Sequence, residues 1–497
     1  MKKYFLLVLG LSLFIVGCSD DDDGITNTDT PDPTPGADVT VQNFMWQAMN
    51  LWYFWQAEVP NLADNRFSND TDYTTFLEAT PDPLDFYNSI QFNEDRFSFS
   101  NDDYEELVNS LAGVSKSNGL EFGLVRFGEG NDIFGFVQYV LPDSDAANKG
   151  VKRGDIFTRV DGQQLFADRN NSSINNFNLF GADSYTLGFA DIVDNTITDN
   201  DDEVTLVKVE NFVENPILVA ETLDVGGEKV AYLMYNRFLG NFNEELNNVF
   251  GQFVADGATQ LVLDMRYNPG GNVNTSRLLA SMVHSTDTNK LYIRERWNSK
   301  IQPQLPDSRL NNYFANRIGD NNSAEVNSLG LNTVYILATN DSASASELVM
   351  NGLAPYVNVI HIGETTRGKN EFSITLVDDS EGSYIYNPNR ENEINPNNRW
   401  GLQPLVGRNE NADGFFDYTA GLAPNIALEE DIENLGVLGD PNEPMLARAI
   451  QEITGVASKR SFTVQMPAKK VMSSRLMTPI KDNMYLDKPW DIDIHFE

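Results

Sequence analysis

A lone cysteine, three histidines and a shortage of basic residues narrow what this chain can be before any motif is read. Cys18 has no second cysteine to pair with, which excludes internal disulfides and any metal site built on cysteine pairs. His284, His361 and His495 are far apart, and none sits in a His-Glu-x-x-His zinc motif. His361 lies within a strand-like run and reads as a packed residue. Gly-x-Ser-x-Gly and Ser-x-x-Lys are both absent, which removes two familiar settings for a serine nucleophile. Lysine and arginine number 35 against 73 aspartates and glutamates, a net charge of −38. Such a balance disfavours nucleic acid and anionic membrane surfaces as partners. The acidic group Asp199, Asp201, Asp202 and Glu203 is accounted for by loop solvation, so no metal and no cofactor are expected. Apolar residues make up 41% of the 497, enough for sizeable cores, and the length suggests about three folding units.

The first residues read as a targeting segment and not as fold. Lys2 and Lys3 precede an apolar run, residues 4–16, that is too short to span a bilayer. It ends in Ile15-Val16-Gly17-Cys18, which resembles a bacterial lipoprotein signal cleaved before Cys18. Residues 1–17 are then the signal peptide, and a lipid on Cys18 is the membrane partner. Ser19-Asp20-Asp21-Asp22-Asp23 resembles the acidic tag of surface-exposed lipoproteins of the Bacteroidetes group. The resemblance implies a cell-envelope protein, lipid-anchored to the outer membrane and displayed at the surface. Residues 18–38, rich in Thr, Pro and Asp, read as a flexible tether.

Four further segments follow. Residues 39–112 place Phe44, Trp46, Trp52, Tyr53 and Trp55 at helical spacing, so FMWQAMNLWYFWQ reads as an amphipathic helix whose aromatics pack a core. Residues 113–210 read as short strands, GLEFGLVRF, IFGFVQYVL, DIFTRVDG and EVTLVKVE, around a helix-like DSDAANKGVKRGD. Their pattern, from Gly119, Leu120, Glu121, Phe122 and Gly123 through Ala146, Ala147, Gly150, Val151, Gly154 and Asp155 to Val160, Asp161 and Gly162, resembles a PDZ domain. That resemblance implies a peptide-binding loop at residues 119–123 whose N–H groups hold a terminal carboxylate, beside an edge strand that accepts a peptide. Residues 211–455 alternate buried strands with helices and read as an α/β core with a partly parallel sheet. Residues 456–497 form a tail with no strong signal. The expected fold is therefore an α/β catalytic core plus a small PDZ-like β-rich domain and an N-terminal helical segment.

The chemistry lies in the α/β part. Asn340-Asp341-Ser342-Ala343-Ser344-Ala345-Ser346-Glu347 joins a buried strand to a helix, where small residues allow close approach and free N–H groups can stabilise an anion. Thr365-Thr366-Arg367-Gly368-Lys369 follows the next strand. With Leu263-Asp264-Met265-Arg266-Tyr267-Asn268-Pro269-Gly270-Gly271 and the later Gly421-Leu422-Ala423-Pro424-Asn425, these motifs resemble, in order, those of the C-terminal processing peptidases, also called tail-specific proteases. The resemblance spans roughly residues 40–455. It implies a serine endopeptidase acting on flexible or unfolded protein C-terminal regions, with Ser344 as nucleophile and Lys369 as general base. The oxyanion hole it implies uses the Ala345 amide and that of Gly270 or Gly271. A free lysine titrates near about 10.4 and is a poor base at neutral pH; burial disfavours its charged form. Some members carry a glutamine four residues after the lysine; here that position is Ser373, a hydroxyl that substitutes or leaves the third place empty. Glu347 is either a site organiser or an exposed first-turn glutamate favoured by the helix dipole. The alternative function is a non-catalytic surface lipoprotein that binds peptide with the same fold.

The signal generates a direct test. Cys18→Ser should leave the protein unlipidated and released into the soluble fraction on cell fractionation; unchanged membrane retention would exclude the lipoprotein reading.

Overall fold

The computed structural model describes residues 38–126, 128, 130–194, 196–319, 322–456, 462, 464, 469–477 and 483–486. The signal peptide, Cys18 and nearly all of the tether lie outside them. Helix α1 (Thr40–Trp52) buries Phe44, Met45, Trp46, Ala48, Met49 and Trp52, the stripe read from the sequence. It stops short of Trp55, because Tyr53 turns extended (φ −60°, ψ 131°) while its N–H still reaches Met49 O. Helices α2 (Asp70–Glu78) and α3 (Pro83–Ser89) begin at Asn69 and Asp82, whose side chains accept the N–H of Asp72 and Asp85 as N-caps. Helix α4 (Tyr104–Leu111) follows.

The next strands are β1 (Leu120–Arg126), β2 (Phe134–Val140), β3 (Ile156–Val160), β4 (Ser184–Val193) and β5 (Thr196–Val207), antiparallel neighbours in that order. Leu120, Phe122, Leu124, Val137, Phe157 and Leu187 fill their core. The helix expected between β2 and β3 is a single turn, Asp145–Asn148, capped by Ser144.

The central sheet has six strands. Antiparallel β6 (Ile217–Val225) edges a parallel run of β7 (Glu228–Tyr235), β8 (Gln260–Asp264), β10 (Thr333–Ala338), β11 (Asn358–Gly363) and the short β14 (Ile426–Ala427). Between β8 and β10 the chain passes through β9 (Leu291–Trp297), and after β11 through β12 (Glu371–Ser373) and β13 (Leu405–Asn411), which form a separate antiparallel sheet with Asn311–Tyr313. Helices α5 (Asn243–Asp256), α6 (Val273–Val283) and α7 (Ala345–Leu353) make the crossovers. Parallel strands covered on both faces read as continuous apolar runs, and Val230 to Met234 are fully buried without alternation. The tail is part of this architecture: β15 (Lys469–Ser473) adds to β1, and residues 483–486 lie against β12.

A buried ion cluster ties the β1–β5 sheet to the core. The Arg266 guanidinium, with no exposed surface, is donated to Asp264 Oδ2 (2.6 Å), Glu443 Oε1 (2.7 Å) and Glu430 Oε1 (3.0 Å). From the smaller sheet, Arg153 reaches Glu430 Oε1 (2.7 Å), Tyr267 Oη (2.8 Å) and Gln138 O (2.7 Å). Breaking such a cluster leaves an uncompensated buried charge. Burial works to raise the Glu430 carboxyl, but Arg153 and Arg266 overcome it and hold the group at about 2. The stabilisation is thus complete above the unfolded carboxylate range and is lost as pH falls through that range toward 2. Denaturant unfolding should show Glu430→Gln less stable at neutral pH and flatter than wild type between about pH 5 and pH 2. The difference between the two curves should be on the order of 3 kcal/mol; parallel curves would contradict the assignment.

Candidate active site

The site forms where two parallel strands end side by side. Asp264 on β8 pairs with Leu337 on β10, and the loops beyond them are joined by hydrogen bonds. Met265 N donates to Leu337 O (2.9 Å), Ser342 Oγ to Met265 O (2.7 Å), Ala343 N to Asn268 O (3.1 Å) and Ser346 Oγ to the same Asn268 O (2.9 Å). Ser342 and Ser346 therefore hold the loop. Ser344, between them, has φ 64° and ψ −115° and is fully buried, and no hydrogen bond of its Oγ to a described residue is formed. A non-glycine residue at such a φ costs on the order of 1–3 kcal/mol and is retained where the surroundings fix it.

Glu347 does the fixing. Its Oε2 accepts the N–H of Ser344 (2.8 Å) and of Lys369 (2.9 Å), and its Oε1 accepts Thr366 Oγ1 (2.5 Å) and Gly368 N (2.7 Å). The exposed alternative for Glu347 is thereby corrected: the side chain has no exposed surface. It turns back to the loop because the Thr366–Lys369 turn, carried by β11, presents its amides there. Leu422, in the Gly421–Asn425 motif, donates its N–H to Thr366 Oγ1 (2.8 Å), which orients that hydroxyl toward Glu347.

Lys369 is fully buried, with Nζ 4.6 Å from the Phe97 ring centroid and 3.5 Å from Asn483 Oδ1. Phe97 comes from the N-terminal segment, where Asp95 accepts the N–H of Phe97 and Ser98 (2.9 Å each) and Tyr53 Oη (2.6 Å). Arg96 caps Gly368 O beside it. Ser373 shares the pocket without bonding Lys369: its Oγ donates to Asn483 Oδ1 (2.9 Å) and accepts Gln403 Nε2 (2.9 Å). Gln403, fully buried, is a residue that sequence reasoning missed, because it arrives from a strand 30 residues beyond Ser373. Phe97 and Asn483 were missed for the same reason.

Gly270 and the Ala345 amide lie beside Ser344: a Cβ on Gly270 would come 2.8 Å from Ser344 Oγ and 2.9 Å from Ala345 N. Ala345 N–H opens helix α7, where no intrahelical acceptor exists for it. The two glycines are not equivalent: Gly270 N–H is donated to Asn268 Oδ1 (2.9 Å), while no described residue accepts the Gly271 N–H. Neither position has room for a Cβ. One on Gly270 (φ 110°) would lie 2.6 Å from Ser344 Cβ, and one on Gly271 (φ 135°) 2.2 Å from Phe238 O. The 119–123 loop differs from expectation. Gly119 N donates to Ser117 Oγ (3.0 Å) and Leu120 N to Asn118 Oδ1 (3.2 Å), so these amides form no open carboxylate nest. Phe122 N donates to Ser474 Oγ (2.9 Å), and Glu121 and Gly123 face the same added segment. Among the described residues no group of three or more His, Cys, Asp or Glu could hold a metal ion.

Residues 229–404 match Peptidase family S41, and residues 40–99 match the Peptidase S41 N-terminal domain. In these two segments the chain is similar to peptidase family S41. It is 29% identical over 176 residues to a carboxyl-terminal-processing protease of Picosynechococcus sp., covering 34% of this chain and 36% of the relative. To that of Synechocystis sp. it is 22% identical over 244 residues, 49% and 48% of the two chains. The chain thus spans between a third and a half of these relatives' lengths. A solved structure from Bacteroides fragilis, named as an S41 protease, shares its fold at a TM-score of 0.61 and 23% identity, over 86% of this chain and all of the other.

Burial pushes the Glu347 carboxyl up to about 7 against the pull of its four donors. Between about pH 4.3 and pH 7 the folded chain holds a proton there that the unfolded chain has released, so this group's contribution to stability falls as pH rises. Glu347→Gln removes that dependence but turns an NH2 toward two donors. It should cost about 1–3 kcal/mol in thermal unfolding and lower labelling of Ser344 by a serine-directed probe at least about tenfold. Unchanged labelling would contradict the hub role.

Proposed function

We propose that the chain is a serine endopeptidase that acts on flexible or unfolded C-terminal regions of proteins, with Ser344 as nucleophile and Lys369 as general base. The observation that carries this reading is the single Glu347 oxygen that holds the amides of both residues. Neutral Lys369 takes the Ser344 proton as Oγ attacks the scissile carbonyl carbon, and the carbonyl electron pair moves onto its oxygen. The Ala345 and Gly271 amides stabilise that oxyanion. The ammonium formed on Lys369 faces the Phe97 ring. It returns its proton to the leaving amine as the C–N bond breaks. A water, deprotonated by Lys369, then hydrolyses the acyl-Ser344 ester and regenerates the pair. On this reading the β1–β5 sheet is a PDZ-like unit that receives an extended peptide at its β1 edge, and Cys18 anchors the enzyme by lipid to the outer membrane, facing outward.

Lys369→Arg keeps a positive charge that cannot be given up, so it should be as inactive as Lys369→Ala and Ser344→Ala, each at least about a hundredfold below wild type in kcat/KM. In wild type, kcat/KM should rise with pH as Lys369 loses its proton. Ser346→Ala, which loses one structural hydrogen bond, should cost about 1 kcal/mol of stability and leave activity within about tenfold. Turnover by Lys369→Arg near the wild-type rate would leave the non-catalytic peptide-binding alternative.

A further inference from the structure

The segment after residue 456 carries a charge pattern opposite to the rest of the chain: residues 456–481 hold six lysines and arginines and no acidic residue, in a protein of net charge −38. Its described parts meet carboxylates at each turn. Strand β15 lies antiparallel on β1, with Lys470 opposite Val125 and Ser473 opposite Gly123. Lys470 Nζ is paired with the buried Asp341, three residues before the nucleophile and also held by Gln138 Nε2 (3.2 Å). Ser474 Oγ donates to Glu121 Oε2 (2.5 Å). Arg475, fully buried, donates to Glu214 Oε1 (2.5 Å) and Tyr139 Oη (2.9 Å).

Residues 483–486 then run through the cleft, bonded to both walls. Tyr485 N donates to Gly271 O (3.1 Å) and Val273 N to Tyr485 O (2.9 Å) on one side; Ser373 N donates to Met484 O (2.8 Å) and Leu486 N to Ser373 O (3.2 Å) on the other. Asn483 Oδ1 occupies Lys369 Nζ, Met484 is fully buried, and Tyr485 Oη donates to Leu111 O (2.8 Å). These are the main-chain contacts of a peptide added to strands.

We infer that residues 469–477 and 483–486 are a ligand carried in cis, which fills the β1 edge and the reactive cleft together and closes both to an external peptide. The ligand class that the two sites take is an extended cationic peptide, with a lysine at the Asp341 position and an arginine five residues later at Glu214. Its effect on turnover rests on the peptidase reading; the occupancy does not.

The test uses the full chain carrying Ser344→Ala, so that no turnover interferes, and a fluorescent synthetic peptide of residues 469–486. In Lys470→Glu/Arg475→Glu, whose tail repels its own sites, the peptide should bind at least about tenfold more tightly by anisotropy than in the chain with its natural tail. The charge-reversed peptide should bind neither. Lys470→Ala, which alters one partly exposed tail residue, should move affinity in the same direction by less, and keeps the test valid should the double variant fold poorly. With Ser344 restored, both variants should cleave an unfolded protein such as casein faster than wild type. Equal peptide affinity with and without the natural tail cations would overturn the inference. A difference in affinity with no cleavage by any variant would uphold cis occupancy and remove the peptidase reading.

Discussion

Two oxygens of Glu347 accept four donors, and the geometry of the site hangs on that convergence. Ser344 sits at a backbone angle that an L-residue adopts only under constraint, and Lys369 arrives on a separate turn after the next parallel strand. One carboxylate ties the two turns through the main-chain amides of Ser344 and Lys369. A buried carboxylate that meets only N–H and O–H donors is a stable arrangement, whereas losing any partner leaves an unsatisfied polar group at a cost of about 1–3 kcal/mol. The neighbouring turn with Gly270 and Gly271 is held the same way, through Asn268, whose carbonyl receives both Ala343 N–H and Ser346 Oγ.

The sheet beneath is the platform for this arrangement. Parallel β8 and β10 end in register, so the loops beyond them are neighbours without further folding. The N-terminal helices contribute through aromatic contacts: Trp52 packs edge-on against Trp297, and Trp297 against Phe372, next to Ser373. The aromatics of residues 39–112 therefore belong to the core, and the same segment delivers Phe97 to Lys369. Arg153, Arg266 and Glu430 fix the smaller sheet to the core, which sets where its β1 edge lies relative to the cleft.

What the sequence showed of this was what is local. The apolar runs of β7, β8, β10 and β11, the stripe of α5 with Leu246, Phe250 and Phe253 buried, and the small residues around Ser344 each carry their own signal in adjacent positions. Contacts between distant segments were not legible. Gln403, Phe97 and Asn483 are ordinary polar or aromatic residues whose place is set by tertiary structure alone. Glu347 was ambiguous because a glutamate in a first helical turn is favoured by the helix dipole whether buried or exposed. The end of α1 was misplaced because Trp55 continues the aromatic run although Tyr53 has left the helix. The loop at residues 119–123 has the glycine that a carboxylate nest uses, but Ser117 and Asn118 take its amides. The tail lacks strand periodicity, and its signal was charge: a cationic stretch in an acidic chain, which finds its meaning only beside Asp341, Glu121 and Glu214.

The central claim is that Ser344 is the one serine of its loop placed for attack, with its hydroxyl bonded to no described residue while those of Ser342 and Ser346 are bonded to carbonyls. Reaction of the purified chain with a fluorophosphonate, followed by tryptic mass spectrometry, tests this most directly. The account predicts a single phosphonylated site at Ser344, absent in Lys369→Ala. An adduct on Ser342 or Ser346, or none at all in either the natural chain or Lys470→Glu/Arg475→Glu under conditions that label a known serine hydrolase, would contradict it.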